Sequence, residues 1–235
     1  MLATLSEYAT DLFDLFYPKI CVACSQKLLK GEEIICFKCE SELPQANQWN
    51  DPENSVAKRF WGRVELQGAA ALFLFEKGES VQHLLHALKY RKRQDVGVYL
   101  GEMLGNMLLR EEPVIRDVDL VVPVPLHWKK LRTRGYNQCD KFAEAVANTL
   151  NVPWLATALE RVQENVSQTK INRFDRYNNV AKIFGVRDAE QLKGKHILLV
   201  DDVMTTGATA EACLKTILSV EGTRASFAAM AVALR

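Results

Sequence analysis

One stretch constrains this chain more than any other. It is Ile197-Leu198-Leu199-Val200-Asp201-Asp202-Val203-Met204-Thr205-Thr206-Gly207-Ala208-Thr209, an apolar run followed by two carboxylates and then three hydroxyls around a glycine. Four branched apolar residues in a row have the length and shape of a strand buried on both faces, and Ala210 to Leu218 has helical composition. The polar residues therefore sit at a strand-to-helix turn. In open α/β sheets the ligand crevice lies outside the carboxyl ends of the strands, and a helix N-terminus offers unpaired amides and the positive end of its dipole to a phosphate. Gly207 lets the backbone approach such a group closely.

Each part of the run has its own chemistry. Thr205, Thr206 and Thr209 can donate hydroxyl hydrogen bonds to phosphate oxygens beside the amides, so the loop needs no lysine. Asp201 and Asp202 would repel a phosphate, but they suit a vicinal diol or a hydrated magnesium ion. Diol and phosphate together describe ribose 5-phosphate. The competing reading is an ordinary βα turn with a threonine cap and two solvated aspartates.

The run also resembles the signature of type I phosphoribosyltransferases for phosphoribosyl pyrophosphate (PRPP): an apolar strand, Asp-Asp, two residues, then Thr-Thr-Gly-x-Thr. The resemblance implies that Asp201 and Asp202 contact the ribose hydroxyls and that Thr205 to Thr209 wrap the 5-phosphate. Val203 and Met204 connect the two groups, and Gly207 and Ala208 lie within the wrap. Other nucleotide signatures are missing, since no Gly-x-x-x-x-Gly-Lys-Ser/Thr occurs and no Gly-x-Gly-x-x-Gly follows a strand.

Composition leaves the class open but removes some choices. With 235 residues, 48% hydrophobic and 25% charged, the chain has room for one substantial core and a small appendage. Its formal net charge of +1 commits it to no polyanion, so nucleic-acid affinity must come from local patches. The first twenty residues carry Glu7, Asp11 and Asp14 and place Leu5, Tyr8, Leu12 and Leu15 at helical spacing, which predicts an amphipathic helix and no signal peptide. No apolar stretch reaches the roughly eighteen residues of a membrane span. A cytoplasmic chain is expected.

Four of the six cysteines form Cys21-Val22-Ala23-Cys24 and Cys36-Phe37-Lys38-Cys39, with eleven residues between the pairs. Each pair can make a tight knuckle whose thiolates share one metal, the spacing of a closed tetrahedral zinc site with a structural role. Two disulfides or a redox Cys-x-x-Cys are the alternatives; the first needs an export signal and the second a thioredoxin-like unit. Cys139 and Cys213 fall in predicted helices and are read as buried thiols.

Along the chain, residues 1–48 read as a helix plus a zinc-ribbon-like module, 49–64 as a linker, and 65–235 as an α/β domain with a mostly parallel sheet flanked by helices. Pro44 to Ser55 has linker composition. Strands are expected at Ala69–Phe75, Val118–Val122, near Trp154, in the signature run and at Ser226–Leu234. Helices are expected at Val81–Tyr90, Val98–Leu109, from the Asn137 cap to Leu150, and after Gly207.

Two further segments carry chemistry. Pro123 to Gln138 packs Lys129, Lys130, Arg132 and Arg134 behind a strand, followed by Gly135 and Asn137, which suits a pyrophosphate gripped by guanidinium forks and a helix start. A solvated basic loop is the plain alternative. His127 in the same stretch is either catalytic or structural. Asn165 to Val180 is too polar for a core and reads as a mobile cover. Pro123 to Pro125, Arg134 to Gln138, Gln168, Arg176 and Asn179-Val180, with the four-cysteine front end, narrow the resemblance to the ComF family of phosphoribosyltransferase-like proteins. Its members include competence proteins acting in DNA uptake and proteins tied to DNA use as a nutrient.

Three function classes follow. In an enzyme, an acceptor displaces pyrophosphate at ribose C1, with Asp201 and Asp202 as the catalytic acids and magnesium and the loop cations absorbing charge. No base pocket is recognisable, and no glutaminase cysteine stands at the N-terminus. The second class is a handler of single-stranded DNA working with competence proteins. Lys58-Arg59-Phe60-Trp61-Gly62-Arg63 and Lys89-Tyr90-Arg91-Lys92-Arg93 interleave cations with aromatics as a strand-binding groove would, though solvated helix ends look the same. The third is a PRPP-sensing module whose zinc end docks a partner.

Overall fold

The computed structural model of the chain describes residues 18–46, 49–76, 79–110, 113–161 and 183–233. In chain order the elements are α1 (Phe37–Ser41), α2 (Ser55–Lys58), β1 (Ala69–Phe75), α3 (Ser80–Tyr90), α4 (Gln94–Leu108), β2 (Leu120–Pro123), α5 (Trp128–Arg134), α6 (Gln138–Leu150), β3 (Leu159–Arg161), β4 (Phe184–Val186), β5 (His196–Met204), α7 (Ala208–Leu218) and β6 (Arg224–Ala233). The expected amphipathic helix up to residue 17 and the expected cover, with Gln168, Arg176, Asn179 and Val180, lie outside the described residues.

The sheet is parallel throughout, in the order β1-β6-β5-β2. Its two faces are built by alternation along the strands. On β5, Leu198 and Val200 join the core formed with α3, α4 and α6, whereas Ile197 and Leu199 face the core formed with α2 and α7. Both cores are apolar. This is the α/β arrangement with a parallel sheet that the alternation of strands and helices predicts, and the one the type I phosphoribosyltransferase resemblance implies.

A glycine stripe sets the closest helix packing. Gly101 and Gly105 of α4 face α6 so tightly that a Cβ at Gly101 would lie 2.6 Å from Ala145 Cβ, and one at Gly105 would lie 2.5 Å from Thr149 Cβ. On the other side of the sheet the small antiparallel ribbon β3-β4 packs Leu159 and Phe184 into the α7 core.

Three segments differ from expectation. The presumed linker is hydrogen-bonded to the sheet: Ala46 N–H donates to Leu72 O and Leu74 N–H to Pro44 O, each at 2.8 Å. Within residues 49–64, Asn54 caps α2, and Val56 and Phe60 are buried. Polar composition hid this because the anchoring bonds are made by the backbone. The strand near Trp154 is one parallel bridge to Val121. The basic loop is mostly helical, since His127 Nδ1 accepts from Lys129 N–H to start α5 and left-handed Gly135 ends it. No side chain of α5 is buried, so no apolar period announced it.

Candidate functional site

β5 carries Asp201 and Asp202 toward its carboxyl end, next to α6. The Asn137 side chain caps α6 by accepting from Cys139 N–H, and its amide donates to Val124 O at 3.1 Å, which fixes the start of the helix against the end of β2. Gln138 thereby reaches Asp202, its Nε2 donating to Oδ2 at 2.7 Å. Lys89, from the end of α3, places Nζ 2.7 Å from the same oxygen. The other Asp202 oxygen accepts from Val203 N–H.

Asp201 is held differently. Its Oδ1 accepts from Asp202 N–H at 2.8 Å and from the Cys139 thiol at 3.8 Å. Burial and the neighbouring Asp202 charge push its pKa well above the usual carboxylate range. The Cys139 thiol is pushed up as well, by its own burial and by both carboxylates. Cys139, Asp201 and Asp202 offer three ligand atoms within 4.8 Å of one another. Oxygen donors on a paired acid suit a hard cation such as magnesium.

The turn after Met204 leads into α7 and is largely open to solvent. Thr205, Thr206, Ala208 and Thr209 are exposed, and Gly207, at φ +82°, opens α7. Phe60 lies beneath Gly207 and meets Phe227 edge-on, with ring centroids 5.3 Å apart. Arg59 binds the Met204 and Thr205 carbonyls and the Ala233 carbonyl at the end of β6. The run Lys58 to Arg63, read from sequence as a strand-binding surface, is thus partly structural, with Phe60 in the core and Arg59 committed to the loop.

The second basic-aromatic run divides in the same way. Lys89 goes to Asp202, Arg93 pairs with Asp95, and Tyr90 lies under the Arg134 guanidinium at 5.3 Å. Arg134 also donates to Gln138 Oε1, so a polar chain runs from α5 to the acid pair. Lys129 sits over Trp128, Arg132 is exposed, Gly135 ends α5 and Asn137 starts α6. His127 serves as a cap, and partial burial followed by the cations Arg161, Lys129 and Lys130 depresses its pKa. Sequence reasoning placed Lys89, Arg59 and Phe60 in candidate strand-binding runs and read Cys139 as a buried thiol, and joined none of them to this turn. No spacing rule joins them to residues 201–209, because the fold alone makes these contacts.

The four front cysteines converge. Their sulfurs all lie within 4.8 Å of one another, and Cys24 Sγ is 3.8 Å from Cys36 Sγ. Zinc–sulfur bonds of about 2.3 Å in a tetrahedron place sulfurs about 3.8 Å apart, so the donor set fits such an ion. No cysteine is bridged. Cys36 N–H donates to Cys21 Sγ and Cys39 N–H to Cys36 Sγ, the bonds that stabilise metal-bound thiolates. The cluster can hold a metal ion.

Residues 137–233, which include the paired acids and the hydroxyl turn at the end of β5, match the phosphoribosyl transferase domain model. Curated relatives narrow the class. The chain is 28% identical to DNA utilization protein YhgH of Escherichia coli K12 over 197 residues, 81% of this chain and 80% of that protein. Its match to YhgH of Salmonella typhimurium is 30% over 128 residues, 54% of this chain and only about half (56%) of the relative. Competence protein F of Haemophilus influenzae is 32% identical over 92 residues, 39% of this chain and 40% of that one. The chain is thus similar to DNA utilization and competence proteins and carries a match to the phosphoribosyl transferase domain over residues 137–233.

Proposed function

We propose that the chain binds PRPP or a related ribose 5-phosphate at the Asp201–Thr209 turn and acts in the uptake or use of single-stranded DNA. The observation that carries the ligand reading is the sequence of groups at one strand end: Asp201 and Asp202 on β5, the exposed threonines of the turn, then the start of α7. A diol faces the acids while the 5-phosphate takes the amides and hydroxyls. Magnesium, which Asp201 would help to hold, neutralises charge on a pyrophosphate. Lys129, Arg132 and Arg134 supply fixed cations on the same side of the sheet as the end of β2. The role in DNA handling is carried over from the names of the relatives.

Calorimetry with magnesium and PRPP tests the ligand. Asp201→Asn with Asp202→Asn should weaken binding at least tenfold, about 1.4 kcal/mol or more. Unchanged affinity would show that the ligand lies elsewhere. Oligothymidine binding should fall steeply and linearly in log K against log salt; binding indifferent to salt would remove the nucleic-acid role. Pyrophosphate release on adding PRPP, magnesium and candidate acceptors distinguishes a phosphoribosyltransferase from a binding protein. The cysteine cluster is assigned to structural zinc, and among the described residues no helix is long and apolar enough to cross a membrane.

A further inference from the structure

Between the ends of α3 and α5 lies a cavity of about 370 Å³ whose wall carries Lys89, Lys92, Lys129, Lys130, Thr133 and Arg134, with no acidic residue. Lys92, Lys129 and Lys130 form no ion pair with any described residue. Lys92 holds φ at +57°, a left-handed conformation that costs a side chain about 1 kcal/mol or more and is kept where the surroundings demand it. Five cations around one hollow, with a hydroxyl among them, describe a seat for linked phosphates.

One member of that wall does double duty. Lys89 lines the cavity, yet its Nζ sits 2.7 Å from Asp202 Oδ2. An ammonium there already neutralises the acid that a ribose diol or a hydrated cation would use. We propose that Lys89 links the two sites: with the cavity empty it competes for Asp202, and linked phosphates in the cavity draw it away and release Asp202 for the ribose ligand. Arg134, which reaches Asp202 only through Gln138, keeps the carboxylate oriented when Lys89 leaves. The linkage is reciprocal, as any coupling between binding sites must be. It rests on the ribose-phosphate reading of the Asp201–Thr209 turn.

The probe is ribose 5-phosphate with magnesium, which carries no pyrophosphate of its own. Its affinity is measured with and without saturating pyrophosphate or a twelve-residue oligothymidine, for the unaltered chain, Lys89→Gln and Lys92→Gln. In the unaltered chain the polyanion should tighten ribose 5-phosphate about five-fold or more. Lys89→Gln should bind the sugar phosphate as tightly as the polyanion-saturated chain and lose the coupling. Lys92→Gln should weaken the polyanion alone. The pyrophosphate and oligothymidine arms tell whether the donor's own tail or a nucleic-acid strand fills the cavity. Coupling that survives in Lys89→Gln, or its absence in the unaltered chain, overturns the linkage while leaving the ribose site standing. Failure of ribose 5-phosphate to bind any of the three chains overturns both.

Discussion

Gly207 has little room to be anything else. Its φ of +82° is left-handed, and a Cβ would stand 2.8 Å from Met204 Cε. The methionine tip can move, but the backbone cost of about 1–2 kcal/mol remains. Gly207→Ala should therefore lower unfolding stability by about that amount in a denaturant titration and weaken ribose 5-phosphate binding through a displaced turn. His196 makes a second residue-scale case. The Asp117 carbonyl can only accept, so Nδ1 carries the proton at 3.0 Å and Nε2 accepts from the Ser226 hydroxyl at 2.9 Å. Burial depresses its pKa below 6.5. Its neutral form is favoured in the folded state, so this contribution is complete above pH 6.5 and is lost as pH falls from there through the folded value. His196→Asn should be less stable at pH 8 but lose less on acidification, measured by urea midpoints at several pH values. The strand-to-helix turn at residues 201–209 was legible because its pattern is contiguous. Lys89 and Arg59 were not, since each acts on that turn from a distant part of the chain.

At the scale of elements, α4 and α6 depend on closeness rather than bulk. Alanine is a better helix former than glycine by about 1 kcal/mol, yet a Cβ at Gly101 meets both Ala145 Cβ and the Phe142 carbonyl at 2.6 Å. Backbone cannot yield as a flexible side chain can. Gly101→Ala should thus destabilise by about 1–3 kcal/mol, the cost of overpacking, and a rise in melting temperature would refute this packing. Helices with a buried face, such as α3 and α6, were legible from apolar spacing. Helix α5 buries nothing, and β3 and β4 have three residues each, too short to show alternation.

At the scale of the molecule, the cysteine module is continuous with the main core. Cys21, Leu28, Ile35 and Leu43 share one apolar cluster with Phe73, Leu84 and Leu100, and His83 of α3 donates Nδ1–H to Ala23 O at 2.7 Å beside the first knuckle. Removing the metal with a strong chelator should therefore lower the melting temperature of the whole chain in one transition, because binding free energy at such a site is folding free energy. A separate low-temperature step in calorimetry would show a module that folds alone. The sequence spacing revealed the cysteine cluster but not this shared packing, which apolar residues on α3 and α4 supply.

The strand order has a consequence for how the protein is made. β6, which follows the other described strands in the sequence, lies between β1 and β5. Until its codons are read, β1 has no sheet partner on that side, and Arg59 lacks the Ala233 carbonyl it grips. A nascent chain stalled before residue 224 would expose the apolar edges of β1 and β5 to chaperones and to other strands. Loss of residues 224–233 through a premature stop would remove the inner rib of the sheet, leaving β5 with β2 as its one partner there even though residues 201–209 had been synthesised.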